Sequence, residues 1–388
     1  MMQSPLRLVP RAQPSQSMLV MAPLLAVGLT LLVGLVIFAA LGHNPLVAFR
    51  VFFIDPVSDI NGISELLLKA SPLCLIALGL AIGFRANIWN IGAEGQMYLG
   101  GIFATGLAIW FHREDNAGGL WWLLPAMIVA GALGGAAWAG ITAFLRAHLR
   151  TNEILVSLML TYVADMLVKY LVYGPWQDPQ SNNFPFTVSF NDDALFPVLA
   201  SWEWLGLDSL LEGTRLNLSL LLTVIAVPLA WLFMSRSFLG FQLAVAGQAP
   251  AAARYAGFSE KRLVWVALLI SGAAAGLAGA TEVAGPMGQL NDRWTPGYGF
   301  TAIIVASLGR LHAFGIVLAA LLMALLYLGG ESAQIALQLP KAMSLVFQGM
   351  LLMFLLGCDV LVNYRVERRR PVQAAATPAT PTPTAEAA

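Results

Sequence analysis

The chain has 388 residues, 58% of them hydrophobic and only 11% charged, with a mean hydropathy of +0.74. A soluble domain carries roughly 25% charged residues, so the composition excludes an ordinary soluble protein and indicates an all-α polytopic membrane protein. Twenty-one basic residues balance twenty-one acidic ones, and with no basic run outside the membrane flanks, nucleic acid is excluded as a partner.

Arg7 and Arg11 lead into the first apolar run, 18–41. It is longer than the apolar region of a cleavable signal peptide and reads as a retained anchor behind a cytoplasmic tail, 1–17. About 20 helical residues cross a hydrocarbon core of roughly 30 Å. On that measure nine further segments follow, at 63–84, 87–111, 121–145, 153–173, 216–234, 263–283, 298–309, 313–330 and 343–360. The membrane domain then spans 18–365, and the Pro/Thr/Ala-rich tail 366–388 is expected to be disordered and cytoplasmic.

Residues 87–97, Asn-Ile-Trp-Asn-Ile-Gly-Ala-Glu-Gly-Gln-Met, are too polar and glycine-rich for a lipid-facing helix. Irregular backbone is tolerated at membrane depth only inside protein or along a cavity. An ionised carboxylate near the bilayer centre costs about 2.5–3.5 kcal/mol. Glu94 must therefore be paired, protonated, near an interface or facing a polar cavity, with Asn87, Asn90 and Gln96 offering neutral donors and acceptors around it. Two readings stay open: a substrate pathway lined by Asn87, Asn90, Glu94 and Gln96, or a buried polar knot holding a broken helix to its neighbours.

Thr151 or Asn152 can cap the helix beginning at Glu153, whose carboxylate complements that N-terminus, and Asp165 can pair with Lys169 one turn on. The longest loop outside the membrane, 174–215, sets Trp176, Phe184, Phe186, Phe190, Phe196, Trp202 and Trp204 among carboxylates that include Glu203 and Asp208. Such aromatics anchor at lipid headgroups or form a docking surface for a binding protein.

The polar loop 236–262 holds a short helix. Ala249, Ala252, Ala253 and Ala256 recur at helical spacing, Pro250 suits the first turn, and Gly257 suits a left-handed cap. Ser259 and Glu260 start the next span, with Phe258 placed to staple onto Leu263. A face of methyl groups lets a second surface approach closely.

Residues 298–309 would cover only about 18 Å as a helix, too short to cross. Aligning the second to fifth segments with the seventh to tenth puts this short segment opposite 87–97, as an inverted repeat requires. With the N-terminus inside, fourteen Lys and Arg fall on the cytoplasmic side and seven outside, so both termini are expected in the cytoplasm. Cys74, Cys358 and four scattered histidines form no metal or disulfide pattern. No hydrolase elbow, zinc motif or phosphate loop with Lys-Ser/Thr occurs. The chain is therefore expected to be no enzyme, to bind no cofactor, and to leave any ATP hydrolysis to a separate subunit.

Four stretches resemble one family. The run 239–257, LGFQLAVAGQAPAAARYAG, looks like the coupling loop of bacterial ABC-importer permeases for ribose, simple sugars and nucleosides, which often carry Arg where Leu243 stands and Asn where Ala249 stands. The run 84–96, FRANIWNIGAEGQ, resembles the hallmark of the nucleoside and simple-sugar branch, with Trp89 where Phe is usual. The runs 151–162 and 299–312 are similar to further motifs of that branch, Thr161 standing where Asn is common, and the GPWQDP start of the 174–215 loop matches it too. The resemblance implies a type II ABC-importer-like fold and a permease that moves substrate by alternating access. It implies docking of an ATPase subunit at Gly247, Ala249, Ala252, Ala253, Arg254, Ala256 and Gly257. It also implies a second, different permease chain, a substrate-binding lipoprotein, and residence in the bacterial cytoplasmic membrane. A purine nucleoside is the first expectation for the substrate and a simple sugar the alternative. An ion-coupled secondary transporter would share the inverted repeat and the membrane acid but has no need of the alanine-faced loop helix.

Overall fold

The computed structural model describes residues 6–11, 15–113, 119–201, 212–340 and 342–368. The helices in them run α1 (Gln16–Ala40), α2 (Pro45–Phe53), α3 (Ile60–Arg85), α4 (Ala93–Trp110), α5 (Leu123–Leu149), α6 (Glu153–Val172) and α7 (Ser219–Arg236). After these come α8 (Phe238–Gln248), α9 (Pro250–Tyr255), α10 (Glu260–Glu282), α11 (Tyr298–Leu308), α12 (Ala313–Leu337) and α13 (Met343–Asn363). Among the described residues, eight segments are long and apolar enough to cross a membrane: α1, α3, α5, α6, α7, α10 with its continuation, α12 and α13.

Side-chain caps fix where the helices begin. Asp59 Oδ1 accepts from Gly62 N (2.9 Å) ahead of α3, and Asn44 Oδ1 from Leu46 N (3.0 Å) ahead of α2. Of the two candidates before α6 it is Asn152 that caps, accepting from Ile154 N (2.9 Å) and Leu155 N (3.4 Å). Ser259 accepts from Arg262 N at 3.4 Å before α10. Glu153 is buried and pairs with Arg146 (3.4 Å), and Lys169 meets Asp165 at 2.7 Å, the expected one-turn pair. Pro286 removes an N–H at the end of α10, and Val283–Met287 closes as a wider turn capped by Gly288 at φ 67°.

The described residues fall into two compact units. In one, up to Thr30 and from Leu351 on, strand β1 (Leu6–Pro10) pairs antiparallel with β2 (Tyr364–Arg368). Val366–Arg368 are thus strand, where the sequence placed them in a disordered tail, because they gain a backbone partner more than 350 positions away; residues 369–388 lie outside the described set.

The other unit, Leu31–Met350, is the helical bundle. There α3 packs on α10, α11 and α12, while α10 packs on α3, α4 and α5. The partners are exchanged between halves, as an inverted repeat demands. The interrupted elements are the two foreseen: backbone 87–92 is non-helical before α4, and α11 has only 11 residues. Two helices were not foreseen, α2 and α8; the second makes 236–262 a pair of helices rather than one.

Three helices cross almost backbone to backbone. A Cβ built on Gly276 of α10 would collide with the Gly131 carbonyl and lie 2.8 Å from Gly135 Cα, both on α5, and one on Gly100 of α4 would collide with the Gly276 carbonyl. Small residues allow such close crossings in lipid, where dispersion replaces the hydrophobic drive. Gly276→Val is therefore expected to lower stability by about 1–3 kcal/mol through overpacking. Gly28→Ala, in the interior of α1 with nothing within 4 Å of its Cβ, should not lower stability and should raise it by up to about 1 kcal/mol; denaturant unfolding in detergent compares the two.

Candidate functional site

The polar segment before α4 is folded onto the protein. Asn90 Nδ2 donates to Gln96 Oε1 (2.7 Å) and to Ser271 Oγ on α10 (2.8 Å). Asn90 Oδ1 accepts from Gln96 Nε2 (3.0 Å) and Gly92 N (3.1 Å). Asn90 and Gln96 are each 1% exposed, and the pair forms a buried polar knot. Asn87, at φ 57°, accepts from Trp89 Nε1 (3.0 Å) and faces a groove beside α9.

Glu94 is the second residue of α4, and Gly299 is the second residue of α11. The Glu94 carboxylate accepts from Gly299 N at 2.5 Å and from the Thr295 hydroxyl. A Cβ on Gly299 would collide with Glu94 N. The two interrupted helices thus meet N-terminus to N-terminus, and one carboxylate serves both positive ends.

The cavity lies next to this junction. A cleft of about 670 Å³ runs between the first turns of α3, the C-terminal half of α6, the end of α10 and the segment before α11. Tyr98, Trp294 and Tyr298 give it aromatic walls, and Thr295 links it to Glu94. Ion pairs rim it: Lys69 with Glu331 (3.0 Å) joins α3 to α12, and Arg215 with Glu65 (2.8 Å) joins the start of α7 to α3. None of Asn87, Asn90, Glu94 or Gln96 lines this cleft. Of its residues, sequence reasoning singled out only Asp165 and Lys169, as an ion pair, yet Glu282 carried a readable signal: it is a carboxylate ending an apolar helix, the same kind of oddity that singled out Glu94.

The described parts of the 174–215 loop fold down beside the cleft. Thr187 N donates to Leu290 O (3.0 Å), Phe190 N to Gly288 O (2.8 Å) and Phe196 N to Ala284 O (2.8 Å). Phe190 and Phe196 are buried against the protein, while Phe184 is exposed. Trp202, Glu203, Trp204 and Asp208 lie outside the described residues.

At the opposite end of the bundle, α8 and α9 cross the C-terminal end of α3. A Cβ on Gly247 would collide with the Arg85 carbonyl, so Gly247 is spent on contact within the chain. Arg85 donates through Nε and Nη2 to Leu311 O (3.1 and 2.8 Å) and through Nη1 to Met234 O (3.3 Å). It therefore ties α3 to the α11–α12 turn and to α7.

The alanine face is divided. Ala252 and Ala256 are exposed, but Ala253 is 4% exposed and packs inward. Ala249 is the exposed N-cap at φ −142°, consistent with the restriction that Pro250 places on the residue before it. Arg254 is exposed, and Gly257 takes φ 76° as expected. Phe258 packs edge-on against Phe238 (6.1 Å) and Phe241 (6.4 Å) of α8.

A model of the family described as branched-chain amino acid transport system / permease component matches residues 62–356. The chain is 38% identical over 344 residues to a glucose ABC transporter permease protein of Haloferax volcanii, covering 89% of each chain. It is 29% identical over 311 residues to the nucleoside ABC transporter permease protein NupB of Lactococcus lactis subsp. cremoris, covering 80% of this chain and 83% of that one. It is 29% identical over 323 residues to the guanosine ABC transporter permease protein NupP of Bacillus subtilis, covering 83% and 88%. No solved structure matches the chain.

Removing the carboxylate at the helix junction tests the geometry. Glu94→Ala leaves the Gly299 N–H and the Thr295 hydroxyl unpaired, at about 1–3 kcal/mol for each buried group. Glu94→Gln keeps one acceptor oxygen, so its unfolding midpoint in detergent should fall between wild type and Glu94→Ala. Equal stability of all three would remove the junction role.

Proposed function

Because the chain belongs to the family of branched-chain amino acid transport system permease components, we propose that it moves a nucleoside across the bacterial cytoplasmic membrane by alternating access, as one permease of an ATP-driven importer. It is a transport subunit and not an enzyme; a separate ATPase subunit binds and hydrolyses the ATP, and this chain holds no cofactor. A second, different permease chain completes the pathway, a substrate-binding lipoprotein delivers to the cleft end, and both termini lie in the cytoplasm.

The observation that carries this reading is the division of the bundle between two ends. The aromatic cleft is at the end formed by the N-terminal turns of α3 and the C-terminal turn of α10. The short helix α9 stands at the other, with Ala252 and Ala256 exposed and Tyr255 96% exposed beside them. An aromatic ring standing clear of its own protein next to a methyl-lined surface suits insertion into a partner's cleft. The aromatic residues in the lining favour a ligand with a flat ring, such as a nucleoside. The second reading, a simple sugar, is favoured by the 38% identity to a glucose permease.

Ala252→Trp adds bulk to an exposed position, so the chain should fold and insert normally. Overpacking of a docked contact costs typically 1–3 kcal/mol, roughly tenfold or more in affinity. The ATPase should then fail to co-purify and uptake should fall, and normal association with normal uptake would remove the coupling assignment. In proteoliposomes uptake should require ATP together with the ATPase; uptake by this chain alone under a proton or sodium gradient would overturn the importer reading.

A further inference from the structure

We propose that Glu282 selects the substrate of the cleft, accepting two adjacent hydrogen-bond donors of a neutral ligand and turning away its phosphorylated forms. This deepens the transport reading above and rests on it.

The cleft is lined by five carboxylates and four cations. Each cation is engaged: Lys69 with Glu331 (3.0 Å), Lys169 with Asp165 (2.7 Å), Arg215 with Glu65 (2.8 Å) and Arg293 with Asp292 (3.7 Å). The carboxylate left over is Glu282. It is 8% exposed, it lines the cleft, and among the described residues it has no hydrogen bond or ion pair. A buried carboxylate without a partner is costly, and the open side on which it can find one is the cleft.

Beside it the wall is aromatic: Trp294, itself 2% exposed, meets Tyr98 edge-on with centroids 5.9 Å apart. The wall therefore offers an acceptor pair and apolar surface. A ligand that satisfies it has two neighbouring N–H or O–H donors and an apolar face. Because each cation is already paired, the lining offers no free positive charge to hold a phosphate, and it suits a neutral solute.

Paired donors come from two sources within this chemistry. One is the edge of a guanine base, with N1–H beside its exocyclic amino group. The other is a pair of neighbouring sugar hydroxyls. Adenosine replaces the N1 donor by an acceptor, and 2-deoxyglucose lacks one hydroxyl of a pair.

The test measures uptake of guanosine, adenosine, glucose and 2-deoxyglucose by cells carrying the intact transporter, wild type against Glu282→Gln. Guanosine monophosphate and glucose 6-phosphate serve as competitors. The expected result is at least a tenfold rise in KM for the paired-donor substrate and stronger competition by its phosphorylated form. The maximal rate and co-purification of the ATPase should be unchanged. Loss of guanosine preference over adenosine places the contact on a base, and loss of glucose preference over 2-deoxyglucose places it on a sugar; either supports the assignment. Wild-type KM and preferences in Glu282→Gln overturn it. Should that variant fail to reach the membrane, Glu282→Asp, which keeps the carboxylate but withdraws it by one methylene, is measured in its place, and an unchanged KM there overturns the assignment. A wild-type transporter that moves none of the four solutes with ATP would overturn the transport reading itself.

Discussion

Two helix N-termini meet inside this bundle, and the rest of the structure depends on how that meeting is made tolerable. The first turn of any helix leaves N–H groups without partners, and at membrane depth water does not supply them. Here the ends of α4 and α11 converge, and Glu94 answers for both: it sits in the first turn of one helix and accepts from Gly299 N in the first turn of the other. A carboxylate between two positive helix ends is the charge arrangement that the macrodipoles favour. Gly299 is required on the other side because a Cβ there would collide with the Glu94 backbone. The equivalent positions of the two halves thus carry different residues for one reason, since the contact needs one carboxylate and one vacancy.

From that junction the cleft follows. Thr295 donates to Glu94 and also lines the cavity, so the wall before α11 is held by the same carboxylate that holds the helix end. The knot of Asn90, Gln96 and Ser271 fixes the other side of the interrupted segment to α10. The groups of that knot are satisfied internally, whereas Glu282, beside the cleft, has no hydrogen bond or ion pair among the described residues.

What was legible in the sequence was local. Caps, one-turn ion pairs, the left-handed Gly257 and the two interrupted helices each follow from a few neighbouring residues, and each reappears in the structure. The cleft was not legible, because its rim joins positions such as Lys69 and Glu331, 262 residues apart, whose pairing depends on how the halves pack. The burial of Ala253 was not legible either, because which side of so short a helix packs inward depends on its neighbours and not on the spacing of its methyl groups. Strand β2 was hidden by composition, since a polar, basic end has no reason to be ordered until β1 supplies a partner.

The two ends of the molecule are joined most directly by α3. Its 26 residues span about 39 Å, and 17 of them are buried, so it cannot bend into solvent or slide without repacking most of its length. At one end Glu65 and Lys69 reach across to Arg215 and Glu331 at the rim of the cleft. At the other, Arg85 holds carbonyls of Met234 and Leu311, and its own carbonyl is in contact with Gly247 of α8. A displacement of α8 and α9 would therefore press on the last turn of α3 and, through Arg85, on the turn that follows α11. Packed interiors transmit such strain because they are close-packed and weakly compressible.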